Sequence, residues 1–221
     1  VKLTIFAATG GIGRQILDQA VGAGHDVTAV VRNPAKVSGP IRIVTADLAS
    51  ADPETLQSAI SGADAVLSGL GARSKSEAGV AWQGTRAMVQ AMRATDVRRI
   101  VVVSAAPIGT VASPGVPNPP KHDPGDGFLM RHVFGPLVKA ALRDHYADLA
   151  RMEDILRGST LDWTVVRPPK LTDKALTGTY RTAYEQNVRG GWSVSRADVA
   201  HCMLDVLERP ETVGRAIGIA G

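Results

Sequence analysis

Ala7-Ala8-Thr9-Gly10-Gly11-Ile12-Gly13 follows a short apolar run, Leu3–Ala7, and opens a segment with apolar residues at Ile12, Ile16, Leu17 and Ala20. A period of two giving way to one near 3.6 marks a strand turning sharply into an amphipathic helix. Glycines at such a turn let an anionic group approach bare backbone N–H groups at the start of the helix, where the peptide dipoles favour negative charge. Gly10 permits that approach, and Gly13 lets the helix pack closely on the sheet. Ala7 stands where the first glycine of the usual pattern would be, so the turn has to tolerate one methyl. Strand before, helix after and a second strand ending near residue 31 make this the turn of a dinucleotide-binding βαβ unit, and Ala7, Thr9, Gly10, Gly11, Ile12 and Gly13 are its candidate cofactor residues.

The end of the second strand selects between the two nicotinamide dinucleotides. A carboxylate there holds a ribose 2′-hydroxyl, whereas an arginine accommodates a 2′-phosphate. The chain reads Val30-Val31-Arg32-Asn33-Pro34-Ala35-Lys36, with no carboxylate. Arg32 can fork onto a phosphate through two charge-assisted bonds, Lys36 can add a point charge, and Arg14 is a third candidate. The pattern predicts NADP(H). Asp47, after the third strand, is either an acceptor for an adenine amino group or a helix cap.

Working outward, apolar runs alternate with amphipathic segments. Strands are expected at Leu3–Ala7, Val27–Val31, Ile41–Val44, Ala65–Ser68, Arg99–Val103, Trp163–Val166 and Ala216–Ile219. Helices are expected at about Ile12–Ala23, Pro53–Ile60, Ala78–Ala94, Leu137–Leu156 and Arg196–Glu208. Ile100-Val101-Val102-Val103 is apolar without alternation, as a strand covered on both faces requires. The expected fold is one α/β domain over residues 1–221, a Rossmann-type, doubly wound, mostly parallel sheet with helices on both faces. A Pro- and Gly-rich segment at about 105–127 interrupts the rhythm and is either a flap beside the cofactor or a mobile insertion. A second irregular stretch, at about 168–191, lies on the substrate side.

Composition excludes several classes. A 221-residue chain buries roughly 70% of its unfolded surface and needs no disulfide or metal to hold a core. Cys202 is the single cysteine, which predicts a reducing, cytoplasmic setting. His122 and His132 lack ligand spacing, so no metal is expected. No apolar run reaches membrane-spanning length. The strand-like opening Val1–Phe6 predicts no signal peptide, and the lack of an initiator Met predicts a missing first residue. The net charge of +4 is scattered and aromatics are only 4% of the chain, which argues against nucleic-acid binding and leaves a mild attraction for anionic small molecules. Oligomeric state is not legible in these residues.

These residues resemble the atypical short-chain dehydrogenases with NAD(P)H-binding domains, a group that includes biliverdin-IXβ reductase/flavin reductase and NmrA-like proteins. The carriers are Ala8–Gly13, Val31-Arg32-Asn33, Gly69-Leu70-Gly71-Ala72-Arg73, Val103-Ser104-Ala105, Arg151-Met152, Ile155-Leu156-Arg157, Asp162–Pro169, Leu176–Tyr180 and Ser195–Ala200. The resemblance covers essentially the whole chain. It implies that Arg32 and Lys36 contact the 2′-phosphate, that Asp47 and Leu48 lie on the adenine side, and that Gly71, Arg73 and Pro168 belong to the cofactor site. Ser104 matches the serine beside the nicotinamide. Lys170 falls where biliverdin-IXβ reductase has a pocket histidine, a departure that leaves the acceptor open.

The resemblance also frames the chemistry. Typical short-chain dehydrogenases use a Tyr-x-x-x-Lys pair for proton transfer. On the expected helix, Tyr146 has Ala150 four residues on, so the pair is incomplete. Ketone or alcohol chemistry needs a placed proton donor, whereas a flavin, quinone or tetrapyrrole takes hydride into a conjugated system. The expectation is an NADPH-dependent reductase of such a small-molecule acceptor, with Ser104 and Lys170 as candidate catalytic residues. Ser104 either hydrogen-bonds nicotinamide or acceptor, or merely ends its strand. Lys170 either holds an acidic group of the acceptor or is a solvated loop lysine. Asp148 and Glu153 read as a polar helix face. The alternative function is an NmrA-like redox sensor that binds NADP(H) without turnover.

Overall fold

In the computed structural model, which describes every residue except Arg73, Lys75 and Ser76, the apolar runs form a central sheet. Its strands are β1 (Lys2–Phe6), β2 (Asp26–Val31), β3 (Arg42–Thr45), β4 (Ala65–Ser68), β5 (Arg99–Val103), β6 (Asp162–Arg167), β8 (Arg181–Tyr184) and β10 (Arg215–Ala220). Their spatial order is β3-β2-β1-β4-β5-β6-β10-β8. All neighbouring pairs are parallel except β10 with β8. The chain therefore winds outward from β1 in both directions, and the crevice between β1 and β4, at the carboxyl ends, is where this topology places ligands.

Alternate residues of each strand feed opposite faces, so the molecule has two cores. Leu3 and Ile5 of β1 and Val101 and Val103 of β5 pack with Ile12, Ile16 and Leu17 of α1 (Gly11–Gly22) and with Val199 and Met203 of α6 (Arg196–Asp205). Phe6, Ile100 and Val102 turn the other way. They meet Leu56 of α2 (Pro53–Ile60), Met88 of α3 (Val80–Arg93), and Met152 and Leu156 of α5 (Arg143–Arg157). No helix among the described residues is long and apolar enough to cross a membrane.

Three departures from the sequence expectation have clear causes. The single helix expected at Leu137–Leu156 is two, α4 (Gly135–Ala141) and α5, broken at Leu142 and preceded by a wide turn at Met130–Phe134. The stretch 168–191 and the residues just beyond it are not merely irregular. They carry β7 (Lys170–Thr172), β8 and β9 (Ser193–Ser195), with β7 and β9 forming a small parallel pair of their own. These strands are three or four residues long and partly exposed, so they lack the apolar runs that signal a buried strand. Asp148 and Glu153 are also not a polar surface. Both are buried, with structural partners given below.

The Pro-rich segment is pinned at several points. Ala106 N–H donates to the Pro168 carbonyl, Gly115 N–H to Asp154, and Asn187 N–H to the buried Asp123 carboxylate at 2.8 Å. Its residues Ile108 and Gly109 line a second cavity with Arg167 and Glu185.

Candidate functional site

The turn that opens the sequence is the floor of an open cleft of about 250 Å³. Ala7 takes a left-handed backbone, with φ of 55°, which costs an L-residue about 1–2 kcal/mol. That is how a methyl fits where a glycine would be. The two glycines that follow have firmer reasons. A Cβ on Gly13 would collide with the Ala7 carbonyl, and one on Gly69, at the end of β4, would stand 2.6 Å from Gly13 N. Helix α1 therefore seats directly against two strand ends. No side chain caps it and its first turn has no acidic residue, so the amides of that turn are left facing the cleft for an anion.

Residues from β2 and β3 form one end of the cleft. Arg32 lines it and donates to Glu77 at 3.0 Å, and Asp47 and Leu48 stand beside it. The Arg32–Glu77 pair is largely open to solvent on the arginine side. Exposed pairs of this kind are worth about 0–1 kcal/mol, so a phosphate can compete for the guanidinium. Asp47 does not cap a helix. Its carboxylate accepts from Ala49 N–H within its own turn, and α2 is capped by Asp52. Lys36 ends a short turn at Pro34–Lys36, is exposed, and offers its carbonyl to Arg14. Gly71 lines the cleft. Arg73 lies outside the described residues.

The other end is built by β5, α5 and β7. β5 lies three strand spacings from β2, or about 14 Å, which is the scale of an extended dinucleotide. Ser104 lines this end, but its hydroxyl donates to Glu153 Oε1 at 2.8 Å. Glu153 is buried and also binds Arg167, at 3.0 Å through Nε and 2.5 Å through Nη2, and Arg157 at 2.5 Å. Burial disfavours the Arg167 charge, but Glu153 outweighs it and holds the guanidinium above its ordinary value. Ser104 is thus a strand end locked from behind, whose proton points away from the cleft. Pro168 is buried and anchors Ala106, and Lys170 is exposed at the start of β7. It is Leu171, rather than Lys170, that lines the cleft.

Sequence reading missed three groups. Arg196, the first residue of α6, lies across the glycine turn, where a Cβ on Gly11 would stand 2.8 Å from its Nε. It is held by Asp173 at 2.6 Å. Asp148 reaches from α5 to the start of α3 and accepts from the N–H groups of Gly79, Ala81 and Trp82. It caps a helix that its own sequence neighbours do not. The third is His145. Residues four apart on α5 do face the cleft, but they are His145 and Leu149, whereas Tyr146 and Ala150 are buried in the second core. A one-residue step rotates a helix position by about 100°, and it moves tyrosine off the site and histidine onto it. Burial pushes the His145 imidazole below its ordinary value, partly opposed by Asp148, and burial pushes the Tyr146 phenol up.

No group of three or more metal-binding side chains occurs among the described residues. Cys202 is buried, and burial pushes its thiol up to about 12.

Comparisons with known proteins agree with this geometry. The uncharacterized protein YwnB of Bacillus subtilis is 27% identical over 218 residues, spanning 96% of this chain and 94% of YwnB. The crystal structure of SP1627 from Streptococcus pneumoniae, whose suggested activity is that of an NADH-flavin reductase, matches with a TM-score of 0.73 at 26% identity. It covers 99% of this chain and 98% of the other. A short-chain dehydrogenase/reductase from Veillonella parvula, solved in complex with NADP, matches with a TM-score of 0.77 at 18% identity, over 100% and 94% of the two chains. The family model described as NAD(P)H-binding matches residues 7–210, and this chain, with the Rossmann fold shared by NAD(P)H-dependent oxidoreductases, belongs to that NAD(P)H-binding family.

Proposed function

We propose that the protein is an NADPH-dependent reductase of a conjugated acceptor such as a flavin, quinone or tetrapyrrole, working in the cytoplasm, a setting that the lone buried thiol of Cys202 fits. The observation that carries this reading is the composition of the cleft's two ends. A cation with no carboxylate beside it in the sequence ends β2, and among the described residues no Tyr–Lys pair faces the cleft at the α5 end. Backbone amides of Gly11 and Ile12 would hold the pyrophosphate, Arg196 would add a positive charge beside it, and Arg32 would give up Glu77 to bind the 2′-phosphate. The oxygen of Ser104, whose O–H donates to Glu153, would accept a hydrogen bond from the nicotinamide amide. When bound, the reduced dinucleotide supplies hydride. The flavin reductase activity suggested for SP1627, with NADH as its donor, supports the acceptor class, and the NADP held by the Veillonella protein supports the choice of dinucleotide.

The test is to mix the protein with NADPH and a panel of FMN, riboflavin, simple quinones and a linear tetrapyrrole, following loss of the reduced-nicotinamide absorbance. Turnover above the protein-free rate is the expected result. Tight NADPH binding with no turnover on any member would sink the reductase reading and favour a nucleotide-sensing protein.

A further inference from the structure

We infer that His145 delivers a proton to the acceptor from the α5 side of the cleft, doing for a conjugated acceptor what a tyrosine does in the usual pair. The inference rests on the reductase reading. Its ground is that His145 and Ser104 line one cleft, with the serine's hydroxyl donating inward to Glu153. While that bond holds, Ser104 accepts but does not donate, and the acceptor's proton comes from another side chain or from water.

His145 is free to supply it. Its ring nitrogens have no hydrogen-bond partner among the described residues, and its one ring contact is with Tyr146, centroids 5.8 Å apart. Of the charged groups around it, Asp148 shares its helix but is engaged by the amides that begin α3. Glu77 faces Arg32 at the other end of the cleft, and Arg196 faces Asp173 across the glycine turn. On the elements packed against α5, Arg86 of α3 stacks on Trp82, Arg167 of β6 is bound to Glu153, and Lys139 of α4 is drawn to Asp126 and Asp123. Its chain neighbours Arg143 and Asp144 are exposed. None of these is placed to replace the imidazole.

The step balances simply. The acceptor gains a hydrogen with its electron pair from the reduced dinucleotide, which is oxidised. The N–H bond of protonated His145 breaks, its electrons stay on the ring, and the proton bonds to the acceptor atom that carries the new negative charge, an oxygen in a quinone or a ring nitrogen in a flavin or tetrapyrrole. Water at the open mouth of the cleft reprotonates the ring. Because burial lowers the imidazole's affinity for protons, the protonated form accumulates only below the ordinary histidine value of about 6.5.

Quinone reduction by the wild type, His145→Ala and His145→Gln, with NADPH affinity measured in parallel, tests this. General acid catalysis is worth about a hundredfold or more. The expected result is a kcat lower by about that factor in both variants, NADPH affinity unchanged, and partial rescue of His145→Ala by added imidazole. Wild-type kcat should rise as pH falls through the histidine range, and the variants should lose that limb. Without turnover, the histidine NMR resonance missing from His145→Gln should shift when the quinone is added to protein saturated with NADP⁺. Variants that bind NADPH yet keep the wild-type kcat and pH limb would overturn the assignment of His145 alone. A wild type inactive on every acceptor overturns the reductase reading and this inference with it.

Discussion

At the scale of single residues, the site turns on a few atoms that face one way rather than another. Arg32 is the clearest case, since the proposed function gives this one side chain, at the end of β2, the reading of the 2′ position. Arg32→Asp exchanges a phosphate partner for a ribose-hydroxyl partner. Loss of the charge-assisted bonds should weaken NADPH binding by about 1.5–3 kcal/mol, or roughly tenfold to a hundredfold, and shift preference toward NADH. Fluorescence titration with both reduced dinucleotides measures this, and an unchanged NADPH affinity would refute the role given to Arg32. The glycine turn and Arg32 were legible in the sequence because both are tied to local geometry, a turn and a strand end. His145 was not. The choice between it and Tyr146 depends on how α5 is rotated about its axis, which is set by packing against α3 and the sheet. The apolar ring of Tyr146 goes to the core, and a helix position one residue away then faces the cleft.

At the scale of elements, capping ties the loops to the sheet. Ser195 begins α6 by accepting from Asp198 N–H, and its hydroxyl donates back to the Asp198 carboxylate at 2.7 Å. That carboxylate also accepts from the N–H groups of Thr177 and Gly178. Burial raises the Asp198 pKa, but the bonds from Ser195, Thr177 and Gly178 outweigh it and hold the group below the ordinary carboxylate range. A depressed pKa in the folded state adds stability above the unfolded value, about 3.9, and that contribution is lost as pH falls through the folded value. Asp198→Ala should therefore lower stability at neutral pH by about 1–3 kcal/mol. The gap from wild type should narrow at pH below about 4, as followed by denaturant unfolding across pH. A gap that is constant in pH would mean the carboxylate's charge plays no part.

Elements also divide what sequence could and could not show. β1, β2, β4, β5 and β6 are apolar runs buried on two faces, and their reading needs no partner. β8 pairs antiparallel with β10 at the sheet edge through residues that are mostly exposed. Its existence depends on a strand more than thirty residues later, and no local pattern announces it. The break at Leu142 is similar, because the amphipathic pattern runs through it while the backbone bends.

At the scale of the whole molecule, charge and cleft act together. The chain carries a net charge of +4, and the cleft displays Arg32 and Arg196 at its surface. A dinucleotide phosphate is drawn toward such a field, so the association rate constant should fall as salt is added, while the dissociation rate changes less. Stopped-flow mixing with NADPH over a range of ionic strength gives both constants. An association rate independent of salt would show that the field plays no part in capture.

Arg196 gives that capture a particular form. Its guanidinium is already positioned over the glycine turn, held by a carboxylate, Asp173, whose side chain is 88% exposed. In the proposed cofactor site, an incoming phosphate would meet an arginine already placed by that pair. It has only to displace a partner that water readily receives. On the proposed reading, the cation stands in place before the ligand, whose arrival would be an exchange of anions rather than the assembly of a site.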